Sequence, residues 1–315
     1  MIFNKAAILG IGLIGSSLAR NLKQNNDVQT LAIYDKNADN LNIARTLNLA
    51  DVITDNLQTA VADADVVIFA TPVCAFGELA QSIKPHLKKG TIITDVGSVK
   101  QYSLQEIEKH LNKSAGFVVV GGHPVAGTEK SGPENGFASL FKGRWSILTP
   151  DENSTPEAVE KITKMWEHCG MKVDTMENAH HDKVMAAVSH LPQLIAYSIV
   201  GTVADLEGYE HKEIIKYSAG GFRDFTRIAG SDPTMWRDIF LTNKQTVLEL
   251  IQRFVEDLIA LERNIRWDEG DKIFNLFKRT QKIRKDVIEA RQDQPEHEKR
   301  LLEEIACQTN IDNRK

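Results

Sequence analysis

Cysteine is scarce in this chain. Three thiols in 315 residues, Cys74, Cys169 and Cys307, are too few and too scattered for a disulfide framework or a C-x-x-C site, and they fit a reducing cytoplasm. A strong charge of one sign is missing too. The formal net charge is −5 and no strong basic run occurs, so a nucleic-acid partner is not expected. There is no internal repeat and no low-complexity tract. No two histidines stand four apart on one helix with a matching acid, so no metal is expected. What remains is ordinary: 42% hydrophobic and 26% charged residues, a soluble globular make-up with one or two domains and a sizeable core.

Long apolar runs are nearly absent as well. Val184 to Ala204 is about long enough to span a bilayer, but it carries Ser189, His190, Pro192, Gln193 and Ser198. Such groups are costly in lipid, so the expectation is a buried central helix and no membrane partner. Lys5 followed by apolar Ala6–Leu18 imitates a signal peptide. Three interrupting glycines, Arg20 and the lack of an A-x-A site argue against one.

The stretch that organises the chain runs from Ala6 to Asp35. An apolar run is followed by Gly10-Ile11-Gly12-Leu13-Ile14-Gly15, a helix-like segment, then Leu31-Ala32-Ile33-Tyr34-Asp35. This is the strand–turn–helix–strand order of a dinucleotide-binding unit. Gly10 permits the tight turn, Gly12 lets the backbone approach a pyrophosphate, and Gly15 lets the helix pack close. The helix start, at Leu13 and Ile14, offers free N–H groups to phosphate. Asp35, about 20 residues past Gly15, can accept hydrogen bonds from a ribose. It would repel a 2′-phosphate, and Lys36 is the only nearby cation, so NAD is favoured over NADP.

Downstream, strand-like runs at Val66–Ala70, Thr91–Val96, Phe117–Val120 and Trp145–Thr149 alternate with helix-like Asn37–Leu47, Val73–Leu87 and Val99–Leu111. A last pair, Thr155–Cys169 and Met171–Asp174, follows. The pattern predicts an α/β N-terminal domain with a mainly parallel, Rossmann-type sheet over residues 1–175. From about Asn178 only helical patterns remain, giving an all-α C-terminal domain over 176–315. Its tail after about Arg291 is charged and expected to fray. From Trp236 to Ile265 the apolar spacing predicts one helix of about eight turns, started by Ser231-Asp232-Pro233. Such long stripes suit an intramolecular core or a dimer interface; a homodimer is favoured.

Ligands of such sheets lie beyond the carboxyl ends of the strands. The residues to read are therefore Thr71-Pro72, Asp95-Val96-Gly97-Ser98 and Gly121-Gly122-His123-Pro124. His123, placed just after a strand, can take a proton from a hydroxyl whose carbon loses hydride, or can be a plain surface-loop histidine. Ser98 can orient it, touch the cofactor, or simply cap the helix that follows. In the helical half, Asp182, Ala186, Ser189 and Gln193 fall within about 60° of arc at ~100° per residue. This polar stripe reads as a site wall, with satisfied core polars as the alternative. His190 can face core or site, and Pro192 bends the helix. Arg223 and Arg227 follow a diglycine, among Phe222, Phe225 and Ile228. They offer guanidinium forks for a carboxylate, or ordinary ion pairs with Asp224.

These residues together resemble the prephenate and arogenate dehydrogenases of tyrosine biosynthesis. The similarity rests on the glycine fingerprint, Asp95-Val96-Gly97-Ser98-Val99-Lys100, Gly121-Gly122-His123-Pro124-Val125-Ala126-Gly127-Thr128-Glu129, Ser189-His190-Leu191-Pro192, and Gly221-Phe222-Arg223-Asp224-Phe225-Thr226-Arg227-Ile228-Ala229. Asp232-Pro233 and Trp236-Arg237-Asp238 complete it, so that it spans about residues 5–290. The resemblance implies NAD-dependent oxidative decarboxylation of a cyclohexadienol. His123 would be the base, Ser98 its orienter beside the nicotinamide, and Arg227 the carboxylate anchor. Asp182, Ser189, His190, Asp224, Glu129 and Trp236 would build the pocket and its polar network. Gln193 stands where some relatives carry histidine, at a contact that would separate prephenate from arogenate. Alternatives are an NAD-dependent β-hydroxy acid dehydrogenase, which would rely on a lysine in the helical domain, and a non-enzymatic NAD-responsive binding protein.

Overall fold

The computed structural model describes residues 1–205, 216–217 and 220–289; the charged tail after Arg291 and Cys307 lie outside them. Eight strands form one sheet: β1 (Phe3–Leu9), β2 (Val28–Tyr34), β3 (Val52–Thr54), β4 (Val66–Phe69), β5 (Ile92–Asp95), β6 (Val118–Val125), β7 (Trp145–Thr149) and β8 (Lys172–Thr175). Their spatial order is β3-β2-β1-β4-β5-β6-β7-β8. All neighbours pair parallel except β6 and β7, which are antiparallel. The short β3, at the sheet edge, left no sequence signal of its own.

Side chains alternate across each strand. Ala6 and Ile8, with Val66 and Ile68, face a core layer shared with α1 (Leu13–Gln24), α2 (Ala38–Thr46) and α6 (Pro156–His168). Ala7 and Leu9, with Val67 and Phe69, face the opposite layer. That layer is filled from α3 (Leu57–Val61), α4 (Phe76–Ile83) and α5 (Lys100–Glu108). Both faces are thus covered, as a parallel sheet requires.

The helical part holds α7 (Asn178–Met185), α8 (Leu191–Ala204), α9 (Gly220–Thr226), α10 (Pro233–Thr242), α11 (Lys244–Arg266) and α12 (Gly270–Glu289). Two expectations are corrected here. The single helix from Trp236 is two, α10 and α11, broken at Asn243 (φ −108°, ψ 31°). The Asn243 amide donates to the Asp182 carbonyl at 3.0 Å; a tertiary hydrogen bond overrides the periodicity there. The stretch Asn178–Ala204 is also less buried than a central core helix: 28% of its most apolar window is buried in this chain, with Val188 65% exposed. Its outer face finds no cover among the described residues of one chain.

Between α7 and α8 the backbone forms a π turn over Ala186–His190. Leu191 N–H donates to the Ala186 carbonyl, one residue further back than in an α-helix. Pro192, which has no N–H, follows at once. The extra residue shifts the helical phase, so the arc computed at a constant angle does not hold from Asp182 to Gln193.

Candidate active site

The glycine turn has the shape its sequence calls for. Gly10 has φ +99°, and a Cβ there would meet the Ala70 carbonyl carbon at 2.7 Å. A Cβ on Gly15 would meet the Gly10 carbonyl oxygen at 2.2 Å. Around Gly12, by contrast, no atom lies within 4 Å of where a Cβ would stand, and no side chain caps the start of α1. This leaves open space beside the N–H groups of Leu13 and Ile14, a fit for a pyrophosphate. Asp35 accepts from Ile11 N–H (2.9 Å) and Asn37 N–H (2.8 Å), so it also fixes the loop. Thr71, two residues past the end of β4, has a buried, unpartnered hydroxyl, and exposed Pro72 opens the next turn. The residues present fit a dinucleotide.

His123 is not in a loop after a strand. It lies inside β6, opposite Ile147, and is 8% exposed. Gly121 and Gly122 allow tight packing rather than a turn. A Cβ on Gly122 would meet the Asp95 carbonyl oxygen at 2.8 Å, and one on Gly121 the Thr149 hydroxyl at 2.4 Å. Below the strand, Asp95 accepts from Gly97 N–H (2.9 Å) and Gly122 N–H (3.1 Å). The fully buried Lys100 is ion-paired with Asp95 and donates to the Gly122 carbonyl at 2.6 Å.

The imidazole of His123 meets a residue that sequence reasoning missed. His123 Nδ1 lies 2.8 Å from His181 Nε2, and His181 Nδ1 lies 2.8 Å from Asp182 Oδ1. Burial pushes His123 well below the ordinary histidine range, helped by His181, Lys100 and His190. Burial also lowers His181, against the opposing pull of Asp182. Burial thus biases both rings toward the neutral form.

Asp182 is therefore not a pocket wall. Only 1% exposed, its carboxylate also accepts from Lys100 N–H (2.7 Å) and Gln101 N–H (3.0 Å), capping α5 from the helical half. Ser98 does not cap that helix; Val99 occupies the cap position without a side-chain bond, and Ser98 stays half-buried between β5 and α5.

His190 is fully buried and pushed down to about 4 by burial. Its Nδ1 lies 3.4 Å from the Asn243 amide, while Nε2 has no partner. The Trp236 ring lies 6.1 Å away, its indole N–H also unpartnered. Ser189 is half-buried on the π turn. Gln193, 2% exposed, donates to the Ile228 carbonyl at 2.7 Å, next in chain to Arg227. Arg227 is paired with Glu129 at 2.9 Å, tying it to the loop that leaves His123. Asp224 falls outside this network: it is exposed on α9, 3.5 Å from Arg223. The short α9 turns that side chain to solvent, so its pairing is the surface kind.

Lys100, His181 and Asn243 are the residues that pattern reading did not single out. Lys100 had a signal, a lysine five residues after a strand-end acid. His181 had a weaker one, its adjacency to Asp182.

A dinucleotide cradle next to a neutral, buried histidine at a sheet end defines a nicotinamide-dependent dehydrogenase, an oxidoreductase with a helical second part. The description "Prephenate dehydrogenase, nucleotide-binding domain" matches residues 18–175, and "Prephenate dehydrogenase, dimerization domain" matches 177–279. The cyclohexadienyl dehydrogenase of Zymomonas mobilis is 42% identical, over 90% of this chain and 96% of its own. The prephenate dehydrogenase of Bacillus subtilis is 33% identical, over 90% and 76%. The crystal structure of the Aquifex aeolicus prephenate dehydrogenase, in complex with hydroxyphenyl propionate and NAD+, superimposes with a TM-score of 0.83. It is 34% identical and covers 90% of this chain and 98% of that one. The chain belongs to the prephenate dehydrogenase family.

Proposed function

We infer that the protein oxidatively decarboxylates prephenate, arogenate or both, giving 4-hydroxyphenylpyruvate or tyrosine. The observation that carries this reading is His123: buried, biased by that burial toward the neutral form, with one ring nitrogen engaged by His181 and the other without a protein partner among the described residues. When bound, held by the Gly10–Gly15 turn and the N–H groups of Leu13 and Ile14, NAD+ would supply the hydride acceptor for the ring carbon bearing the hydroxyl, whose oxidation would accompany loss of the ring carboxylate as CO2 and aromatisation of the ring. His123 accepts the hydroxyl proton in that step. Ser98 orients His123 and approaches the nicotinamide. Arg227 exchanges Glu129 for a substrate carboxylate, the same charge type in the same fork. Ser189, His190 and Trp236 wall the ring, and the two unpartnered N–H groups of His190 and Trp236 suit acceptor oxygens. Asp35 supports NAD over NADP by repelling a 2′-phosphate. The free thiols of Cys74 and Cys169 suit a cytoplasmic site. A homodimer is part of this reading, supported by the uncovered apolar faces of α11 and α12.

The test is steady-state turnover with prephenate and with arogenate, each with NAD+ and NADP+, following reduced nicotinamide. Turnover with NAD+ on one or both substrates is expected, and silence in all four combinations overturns the reading. His123→Asn should lower kcat by about 10²–10⁴ with NAD+ affinity retained.

A further inference from the structure

We propose that His181 is a positioning residue that fixes the tautomer of His123, placing the proton on Nδ1 and leaving Nε2 as the bare, proton-accepting nitrogen. The inference rests on the reading of His123 as the base and extends it to a residue with no assigned role.

The assignment runs along a chain of bonds. The Asp182 carboxylate accepts the backbone N–H groups of Lys100 and Gln101, so it acts as an acceptor. His181 Nδ1, 2.8 Å from Oδ1, must then donate. A neutral His181 has only one ring proton, so its Nε2 carries a lone pair. His123 Nδ1 lies 2.8 Å from that lone pair and must donate to it. A neutral His123 in turn leaves Nε2 unprotonated.

The opposite arrangement would need a doubly protonated His181, donating from both nitrogens. Its surroundings oppose this: His181 is fully buried, and the Lys100 ammonium acts against a second cation. The facing charged or titratable groups are Lys100 and Asp95 from beneath the sheet end, Asp182 from α7 and His190 from the π turn. Asp182 is the carboxylate that touches the His181 ring.

The same geometry serves the reaction. Once His123 takes the substrate proton on Nε2, its Nδ1–H becomes a charge-assisted donor to His181, and Asp182 stabilises the polarised pair. The logic is that of an acid orienting a histidine base, with a second imidazole inserted between them. Asp182 also caps α5, so the carboxylate that orients the base holds the helical half against the nucleotide-binding half.

The test reads the ring nitrogens directly, by NMR of isotope-labelled histidine in the full chain with NAD+ bound. His123 is assigned by the signal that His123→Asn removes. A pyrrole-like Nδ1 and a pyridine-like Nε2 are expected. In His181→Leu the ring should drift to the Nε2–H form that free histidine favours, with kcat falling about 10–100-fold and KM held within about twofold. His181→Gln, whose side-chain oxygen can accept from Nδ1–H, should recover most of the loss. A protonated Nε2 in the unmutated protein, or undiminished kcat in His181→Leu, overturns the proposal. The tautomer is readable without turnover. A protein inactive on prephenate and arogenate would therefore sink the functional reading and leave the ring assignment standing.

Discussion

Lys100 carries an ammonium with no access to water, held by Asp95 and by the carbonyl of Gly122, the residue before His123. Burial lowers its pKa, and Asp95 opposes that shift. A charge in such a place is tolerated only because its partner is there; removing one member strands the other. Lys100→Met should therefore lose about 3–5 kcal/mol in urea unfolding. Adding Asp95→Asn should return most of it, since a neutral pair of similar volume needs no solvation. A single variant as stable as the unmutated protein would show that Asp95 is solvated or protonated instead. This pair stood in the sequence as ends of one short motif, and a strand-to-helix turn brings them together. The histidine chain was less legible because His123 and His181 are 58 positions apart, and only tertiary packing makes them neighbours. The flanking Phe222, Phe225 and Ile228 suggested partial burial of Arg223 and Arg227, yet Phe225 is 46% exposed and both guanidinium side chains stay exposed; Asp224, a pocket residue by resemblance only, pairs with Arg223 at the surface.

Helix α5 shows how one element responds to charge at its two ends. Its first N–H groups receive the Asp182 carboxylate, an anion where the helix dipole favours one. Its last residue, Glu108, sits at the disfavoured end. Burial, then the neighbouring Asp151, raises its pKa to about 8. A carboxyl raised from 4.5 to about 8 contributes stability that is complete below pH 4.5 and lost as pH rises through about 8. Glu108→Gln mimics the protonated form and should leave stability unchanged at acid pH. At alkaline pH it should gain about 1 kcal/mol, allowing for solvent screening of a half-exposed group, or roughly 2–4 °C in Tm. Thermal melts at the two pH values check this, and equal melting at both would remove Glu108 as a proton-linked site. Element periodicity foretold α5 and most of the sheet. It failed at Asn243 and at the π turn, where a side chain or a missing N–H redirects the backbone and spacing alone carries no warning.

At the scale of the whole molecule, the two halves differ in how they dispose of apolar surface. The sheet buries its aliphatic residues on both faces. The helical half does not: Leu258, Ile259, Ile265 and Trp267 on and just after α11, and Phe274, Phe277 and Ile283 on α12, are each at least 47% exposed. Leu258 and Ile265 share one face of α11, and Phe274 and Phe277 lie within about 60° of each other on α12, so part of this exposed surface is continuous rather than scattered. A monomer seldom leaves so much contiguous apolar surface in water. On the dimer reading, a second copy of the same helices would be the self-complementary cover that twofold symmetry supplies. The stripe at Trp236–Ile265 was visible in the sequence, but periodicity cannot tell an internal face from an external one. Light scattering should therefore find a particle of two 35.2 kDa chains, with a Tm that rises with protein concentration because association stabilises only the folded form. The double variant Ile259→Glu, Phe277→Glu places carboxylates in the proposed seam, where desolvation and like-charge repulsion oppose pairing. It should run as single chains and melt lower, with the cradle around Gly10, Gly12 and Gly15 still binding NAD+, because that site lies wholly in the sheet half. A variant that stays dimeric moves the interface off these stripes, and an unmutated protein that runs as a single chain at every concentration leaves them as surface open to another partner.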